Sequence, residues 1–157
     1  MERIMGLSFD EIVEKYSDMI TRIAILNLKN SQDAKDCFQN TFIKLYMSNK
    51  KFSSEEHLKA WLIRVCINEC KNYRRLWNRN VVQIDDVVAP EHHDELFIIL
   101  EIMKLSKHQR NTLYLYYYEG YKIFEIAQML NMKENTVKSY LKRGRDTLKE
   151  RIGEFYE

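Results

Sequence analysis

The sequence predicts an all-α protein in which two small helical domains flank an acidic linker. The chain has 157 residues but only four Gly and one Pro, too few for the many turns of a β-sandwich or barrel. Apolar residues recur at helical intervals along most of its length. With 45% apolar and 31% charged residues, the composition fits a globular chain with a buried core. The length fits one ordinary domain or two small ones.

Charge is distributed in three blocks, although the whole chain carries only +2. Residues 1–80 contain 14 basic and 10 acidic side chains. Residues 81–102 contain 6 acidic side chains and no basic one, and residues 103–157 contain 11 basic and 7 acidic side chains. Two basic blocks therefore flank an acidic one. The net charge does not indicate a nucleic-acid partner, whereas this distribution is compatible with one.

The first domain is predicted over residues 1–80 and contains three helices. The first helix begins at Ser8, because the Ser8 hydroxyl and the Glu11 carboxylate have the spacing of a capping box. The second carries an apolar series that runs from Ala34 to Tyr46 at intervals of three, four or seven residues.

The third helix is predicted from Glu55 to about Asn78 and opens with a capping box in Ser53-Ser54-Glu55-Glu56. Side chains that donate hydrogen bonds recur every three or four residues on one of its faces: Arg64, Asn68, Lys71, Arg75 and Arg79. Such a face can hold phosphates and hydrogen-bond a base edge. Tyr73 and Trp77 add stacking surfaces for unpaired bases. The residues alone leave open a second interpretation, a solvated basic face with the aromatics in the core.

Residues 81–95 are predicted to be the linker, since they contain the only Pro of the chain, five acids and no Lys or Arg. The second domain covers residues 96–157. A short apolar helix over residues 96–104 precedes a helix that opens at Ser106 and ends near Gly120, a residue suited to a helix C-terminus.

The last two helices are predicted to form a helix-turn-helix, over Ile123–Leu130 and from Asn135 to about Lys149. A tight crossing needs a small residue at the contact, a residue tolerant of positive φ in the turn and an apolar anchor on the second helix. Ala127, Asn131 and Val137 fill these three positions.

The final helix carries two parallel stripes. The apolar stripe consists of Val137, Leu141, Gly144 and Leu148, and the cationic stripe one residue later consists of Lys138, Lys142, Arg145 and Lys149. One residue is roughly 100° of rotation, so one face packs while its neighbour presents positive charge to the phosphates of a major groove. A Lys-rich helix face taken alone is more often solvated surface. Combined with the turn residues, the stripe favours DNA binding.

Several runs of residues resemble bacterial RNA polymerase sigma factors. Three runs carry a resemblance to region 2 of these factors: Asp33-Ala34-Lys35-Asp36-Cys37-Phe38-Gln39-Asn40-Thr41-Phe42, Ala60-Trp61-Leu62-Ile63-Arg64-Val65-Cys66-Ile67-Asn68 and Tyr73-Arg74-Arg75. Region 4 is resembled by Leu105-Ser106-Lys107-His108-Gln109-Arg110, Glu119-Gly120, Glu125-Ile126-Ala127 and Thr136-Val137-Lys138-Ser139. The order of the runs and the short linker are similar to the extracytoplasmic function (ECF) group, over roughly residues 8–152.

The resemblance implies a non-enzymatic transcription initiation factor, without cofactor or metal, that gives core RNA polymerase its promoter choice. It assigns core-polymerase binding to Asp36, Gln39, Asn40 and Phe42. It assigns the −10 element to Arg64, Asn68, Lys71, Asn72, Tyr73, Arg74 and Arg75, with Asn68 helping to read a flipped base. It assigns the −35 duplex to Lys133, Asn135, Thr136, Lys138, Ser139, Lys142, Arg143 and Arg145.

The same resemblance implies an anti-sigma factor as a further partner and a linker that threads toward the RNA path of the polymerase. The protein is expected to be a cytoplasmic monomer that does not insert into membranes, since it has neither a signal peptide nor an apolar run of spanning length. Its three cysteines, an odd number, fit a reducing compartment.

This chain departs from the usual family residues at several positions. Lys122 and Lys133 stand where Ser or Thr caps a helix, and Gly144 stands where Ala is usual, each at an expected cost of about 1 kcal/mol. The two lysines have phosphate contact as an alternative role. Asn40 stands where an acidic residue is common.

Two other classes of function remain as alternatives. One is an ordinary helix-turn-helix regulator that binds DNA without polymerase, usually as a dimer. The other is a small DNA-processing enzyme, whose candidate groups are Asp85-Asp86 with Glu91, as a nuclease metal site, and the tyrosine run Tyr114–Tyr118, as a source of a nucleophile. Separately, Cys66 and Cys70 with His92 and His93 are a candidate metal site. The cysteines lack a complete ligand spacing, the acids lack a base, and the tyrosines lack clustered Arg and His.

Overall fold

A computed structural model describes residues 2–28, 30–76 and 100–156, with the side chains of residues 74–76 and 154–156 excepted. The chain divides into two compact units. In the described ranges the regular structure is helical, apart from one isolated antiparallel bridge between Ile4 and Leu7. The predicted all-α class is confirmed. The predicted linker, residues 81–95, lies outside the described residues.

The first unit is a bundle of three mutually packed helices, α1 (Phe9–Leu28), α2 (Ser31–Met47) and α3 (Glu55–Leu76). Each contributes one apolar face to a shared core. The largest fully buried apolar side chains of this unit are Ile12, Ile20, Ile23, Leu45, Leu58, Leu62 and Ile63. The third helix is described to Leu76, so its predicted end near Asn78 lies beyond the described residues.

Side-chain caps fix where the first two helices begin. The predicted capping box at Ser8 is confirmed: the Glu11 carboxylate accepts from the Ser8 N–H at 2.7 Å, and the Ser8 hydroxyl accepts from the Glu11 N–H at 3.2 Å. The second helix is capped by Asn30, whose Oδ1 accepts from the N–H groups of Gln32 and Asp33.

The cap of α3 differs from the prediction. The Ser54 hydroxyl accepts from the His57 N–H at 3.1 Å, and the His57 ring accepts from the Ser53 N–H at 3.2 Å. Because the helix starts at Glu55, the residue three positions after the cap is His57 and not an acid. The predicted box, with Ser53 as the cap and Glu56 as its acid, therefore lies one residue before the observed cap. Glu55 pairs with Lys15 of α1.

The first described residues of the second unit, 100–103, are helical. The unit continues with α4 (Lys107–Leu113), α5 (Ile123–Leu130) and α6 (Glu134–Tyr156). The helix predicted from Ser106 to about Gly120 is not α-helical throughout, because five of its residues, Tyr114–Tyr118, form a π-helical turn. The last helix begins one residue earlier than predicted and runs seven residues beyond Lys149.

The turns of the second unit confirm the sequence signals. Ser106 and Gln109 form a complete capping box at the start of α4. Gly120 and Asn131 both adopt positive φ, 76° and 53°, the conformation that Gly and Asn tolerate best. Ala127 and Val137 are buried on either side of the Asn131 turn, so the predicted helix-turn-helix packing is confirmed.

Two buried charged side chains, Arg110 and Glu101, lie near the start of this unit. The Arg110 guanidinium donates to the carbonyl oxygens of Leu105 and, at 3.3 Å, Met103. Glu101 is also buried and accepts from Lys104 at 2.7 Å, with Arg151 of α6 at 3.8 Å. Buried charges are tolerated only where such partners compensate for lost hydration.

Gly144 lies where α6 crosses α4, and a Cβ atom there would meet the Leu113 Cδ1 atom at 2.8 Å. We therefore expect Gly144→Ala to destabilise the second unit by about 1 kcal/mol, because overpacking outweighs the helix-propensity gain of about 1 kcal/mol. Gly153→Ala in the same helix is the matched control. Its Cβ would meet nothing within 4 Å, so it should stabilise. Urea unfolding with hydrogen exchange of α6 amides measures both changes, and stabilisation by both substitutions would refute the crowding at Gly144.

Candidate nucleic-acid and protein interfaces

The outer face of α3 brings several predicted −10 residues together. Arg64, Asn68 and Asn72 follow one another at intervals of four residues and are exposed, and Lys71 beside them is half-buried. Leu62 and Cys66 face the core. The helix thus separates a donor-rich face from a packed one, as predicted. Arg74 and Arg75 belong to the same helix, but their side chains, with Trp77 and Arg79, lie outside the description.

Tyr73 connects this face of α3 to α2. Its hydroxyl donates a 2.9 Å hydrogen bond to the Asp36 carboxylate, which also accepts from the Gln32 amide at 3.3 Å. This bond raises the pKa of Tyr73 to about 12, since ionising the phenol would place a second negative charge beside the carboxylate. A predicted −10 residue and a predicted polymerase residue are therefore hydrogen-bonded to each other, a pairing the sequence analysis missed.

The exposed face of α2 differs in one respect from the prediction. Gln39 is exposed and Asn40 half-buried. Phe42, however, is buried and packs against Phe38 with ring centroids 4.9 Å apart. Its large apolar ring belongs to the core of the unit, so the assignment of Phe42 as a surface contact is corrected.

Two apolar residues that the sequence analysis missed continue the exposed face of α2. Ile43 is 53% exposed and Met47 is 75% exposed. They follow Gln39 at intervals of four residues, which places all three on one side of the helix. The signal that identifies them is an i, i+4, i+8 series offset from the buried Thr41 and Leu45.

The two predicted stripes of α6 are separated as expected. Val137, Leu141 and Gly144 are buried, whereas Lys138, Lys142, Arg145 and Lys149 are exposed. Leu148, at the end of the apolar stripe, is half-buried. The cationic stripe therefore faces solvent as one continuous surface along the helix.

The other predicted −35 residues lie just before α6 or within its first three turns. Lys133, Asn135, Ser139 and Arg143 are exposed and Thr136 is half-buried. The Ser139 hydroxyl donates to the Asn135 carbonyl oxygen at 3.0 Å. A helix N-terminus adds unpaired N–H groups to such a surface.

The missing cap hydroxyl at Lys122 is partly compensated in α5. The Glu125 carboxylate accepts from the Lys122 N–H at 3.2 Å, which is the acidic half of a capping box. The exposed Lys122 side chain is left to project from the helix start.

Arg145 makes a contact that the sequence did not signal. Its Nη1 atom donates a 2.9 Å hydrogen bond to the Tyr117 hydroxyl, and this bond raises the pKa of Arg145 above its usual value. Tyr117 is held in the π-helical turn, 28 residues away in sequence.

No metal or membrane feature accompanies these surfaces in the described ranges. They contain no group of three or more His, Cys, Asp and Glu side chains arranged to hold an ion. Nor does any helix in the part described combine the length and the apolarity that a membrane span requires. His92, His93 and the acids Asp85, Asp86 and Glu91 lie outside the described residues.

Two family models match the chain, one in each unit, in the order that the sequence resemblance predicts. Residues 12–79 match the Sigma-70 region 2 family and residues 98–148 match Sigma-70, region 4. The chain belongs to the sigma-70 family of RNA polymerase sigma factors. Its curated relatives place it within the ECF group of that family.

The relatives match over most of their length. This chain is 26% identical over 152 residues to the ECF RNA polymerase sigma factor SigM of Mycobacterium tuberculosis, covering 93% of this chain and 78% of that protein. It is 27% identical over 154 residues to SigM of Bacillus subtilis, covering 91% and 94%. Its fold matches the sigma factor RpoE of Bartonella quintana, solved with the anti-sigma factor NepR, with a TM-score of 0.74, 23% identity and coverage of 92% and 96%.

The protein is thus a sigma factor that binds core RNA polymerase and directs promoter recognition and transcription initiation. The matched region 2 preceding region 4 distinguishes it from the regulator that binds DNA without polymerase.

Proposed function

We propose that three surfaces of this sigma factor divide the work of initiation: the face of α2 binds core polymerase, the face of α3 reads the −10 element and α6 reads the −35 element. The observation that carries the proposal is the division of α6 into a buried apolar stripe and an exposed cationic one. We place the domain boundaries at residues 1–80 and 96–157, with residues 81–95 as the acidic linker.

Core polymerase binds Asp36, Gln39 and Asn40 in this proposal. Two of them, Asp36 and Asn40, are half-buried and Gln39 is exposed. The exposed Ile43 and Met47 extend the same face and supply apolar area, which is what a protein interface needs at its centre. Phe42 supports α2 from the core and does not itself contact the partner.

The −10 element binds along α3. Unpairing and unstacking a base costs a few kcal/mol, so the reader needs both phosphate donors and a group that hydrogen-bonds the base edge. Arg64 and Lys71 provide the cationic donors, and the exposed Asn68 amide between them offers two N–H donors and a carbonyl acceptor. We assign Asn72, Tyr73, Arg74 and Arg75 of the same helix to the −10 element as well.

The −35 element binds as duplex, and α6 enters its major groove. Lys138, Lys142 and Arg145 contact phosphates on the flanks of the major groove, and Asn135, Thr136 and Ser139 approach base edges from the first two turns. Lys133 and Arg143 add charge beside them. The acidic linker, which carries no Lys or Arg, is repelled by DNA and fits a basic channel of the polymerase.

Free protein is held by an anti-sigma factor in this proposal. The supporting observation is that the sigma factor RpoE of Bartonella quintana, which has the same fold, was solved in complex with the anti-sigma factor NepR. We further propose that the protein works as a cytoplasmic monomer and catalyses no reaction of its own, since its contribution is recognition.

Reconstitution with purified core polymerase tests the function. The expected result is a one-to-one complex with core and run-off transcripts from a genomic library, whose mapped start points share a −10 and a −35 motif. Footprinting of a palindrome by the protein alone would instead indicate an ordinary regulator. Mg²⁺- or Zn²⁺-dependent nuclease activity lost on changing Asp85 and Asp86 would indicate a DNA-processing enzyme.

Asn68→Ala is expected to relax discrimination at one −10 position, because it removes the amide that reads a base edge from an exposed site. The loss is about 1–3 kcal/mol of discrimination, as for a single base contact. Run-off competition among promoters randomised at each −10 position measures it, and the other positions are the internal control. Loss of core binding or of folding would contradict the assigned role.

A further inference from the structure

The π-helical turn of the second unit presents one tyrosine beside the cationic stripe. Within Tyr114–Tyr118, the Glu119 N–H donates to the Tyr114 carbonyl oxygen at 3.1 Å, five residues back. The Tyr114 hydroxyl donates to the Glu119 carboxylate at 2.6 Å and closes the same turn. A π-helical turn shifts the angular position of its side chains relative to an α-helix. The turn is therefore held by its own backbone and side-chain bonds, which makes it a fixed support.

Tyr117 is oriented within this support. Its ring packs edge-on against Tyr116, with centroids 4.9 Å apart and planes at 78°, yet the side chain remains 56% exposed. One turn earlier, Leu113 lies against Gly144. The same crossing of α4 and α6 thus brings Leu113 to Gly144 and Tyr117 to Arg145.

The Tyr117–Arg145 bond leaves donors available on both residues. The tyrosine oxygen is the acceptor at 2.9 Å, so its own O–H is not used in that bond. The guanidinium has five N–H donors in a planar fork and uses one of them here. Two convergent donors, one of them charged, are the chemistry that binds a phosphate oxygen.

We propose that Tyr117 and Arg145 form a two-residue clamp for one phosphate of the −35 duplex, in which Tyr117 orients the guanidinium and adds its own O–H donor. The proposal rests on the proposed contact of α6 with the −35 element and adds to it a residue outside the recognition helix. Arg145 lies on the stripe with Lys138 and Lys142, so the clamped phosphate is adjacent to those they contact.

The test uses holoenzyme assembled with full-length protein on a promoter mapped by run-off transcription, with affinity measured from 0.05 to 0.3 M salt. Arg145→Ala should lower the salt slope by about 0.9 and the affinity at 0.15 M salt roughly five-fold, the share of one phosphate contact. Tyr117→Phe removes no charge, yet it should lower the slope in the same direction by losing the orientation of Arg145. Tyr118→Phe, the neighbouring exposed tyrosine, is the control and should change neither.

The double variant separates the clamp from a structural role of Tyr117. In the Arg145→Ala background, Tyr117→Phe should have no further effect on the slope, because the group it orients is gone. An unchanged slope with Tyr117→Phe, against a lowered slope with Arg145→Ala, would overturn the clamp but not the −35 function of α6. Unchanged slopes with both would overturn the Arg145 contact itself. Weaker assembly with core polymerase in Tyr117→Phe would assign the tyrosine to a protein interface instead.

Discussion

Replacing Lys138 and Lys142 together by Ala is expected to lower the affinity of holoenzyme for its promoter roughly thirty-fold at 0.15 M salt and to reduce the salt slope by about two. Both side chains are exposed on the cationic stripe and lie one helical turn apart, so each reaches a separate phosphate. A bound phosphate releases condensed counterions, and its contribution therefore appears in the dependence of affinity on salt. Filter binding or anisotropy across a salt series gives both quantities.

Two matched variants separate local contact from net charge. Lys138→Arg with Lys142→Arg keeps the positive charges and should keep the slope. Adding Asp146→Asn and Glu150→Gln to the Ala pair restores the net charge of α6 through other exposed positions of the same helix, and should not restore the slope. A full slope in the Ala pair would show that the stripe is only solvated surface, and recovery by the added changes would show that only the overall field of the domain matters.

Arg110→Met is expected to destabilise the second unit by about 3 kcal/mol, since two carbonyl oxygens lose a charged donor in a buried site. The side chain is 3% exposed and bonds the carbonyls of Leu105 and Met103. Met keeps much of its volume, so the loss reflects hydrogen bonding more than a cavity. Hydrogen exchange measured by peptide should show lost protection across α4 to α6 with α1 to α3 unchanged.

The functional consequence of Arg110→Met should be equally selective. Core binding through α2 is expected to persist, while transcription from promoters that depend on the −35 element is lost. Arg143→Met is the stability control, because that arginine is exposed on α6 and surface changes cost within about 0.5 kcal/mol. Loss of protection in α1 to α3 as well would contradict the division into independently stable units.

Local chemistry explains why much of the fold was predictable. The caps at Ser8 and Ser106 and the positive φ at Asn131 depend on residues within three or four positions of each other. Such local patterns can be recognised in the sequence alone. At α3 two serines stand in succession, and either suits a cap. Which one serves depends on where the helix starts, and the His57 ring takes the part assigned to an acid.

Three features that no capping or turn motif signals were not predictable. The π-helical turn arises in an aromatic run whose spacing resembles an ordinary helix, and it is closed by Glu119. Arg110 has the appearance of a surface residue, and its burial depends on how residues 100–105 fold back over α4. Propensity alone makes Gly144 a weak helix former. Its role, to leave room for Leu113 of another helix, depends on the packing of the two helices.

The candidate site shows the same division. The face of α3 and the stripe of α6 follow from periodicity within one helix. Of the residues described, Arg64, Asn68 and the whole stripe are exposed, and Lys71 is half-buried. The Asp36–Tyr73 and Tyr117–Arg145 bonds join residues 37 and 28 positions apart, so no local pattern announces them. The resemblance assigned Phe42 to the polymerase surface, whereas the ring lies in the apolar series of α2 and is buried.

The three thiols of the chain lie within one structural unit, at the packing of α2 against α3. Cys37 and Cys66 are 0% exposed and Cys70 is 1% exposed, and mutual hydrogen bonding with burial raises the pKa of Cys70. A thiol-specific alkylating reagent attacks only a thiolate that solvent reaches, so labelling has to await transient opening of the bundle. The alkylation rate therefore measures how often the N-terminal helix bundle opens. Because all three cysteines lie in this bundle, the rate reports on no other part of the chain and needs no engineered probe.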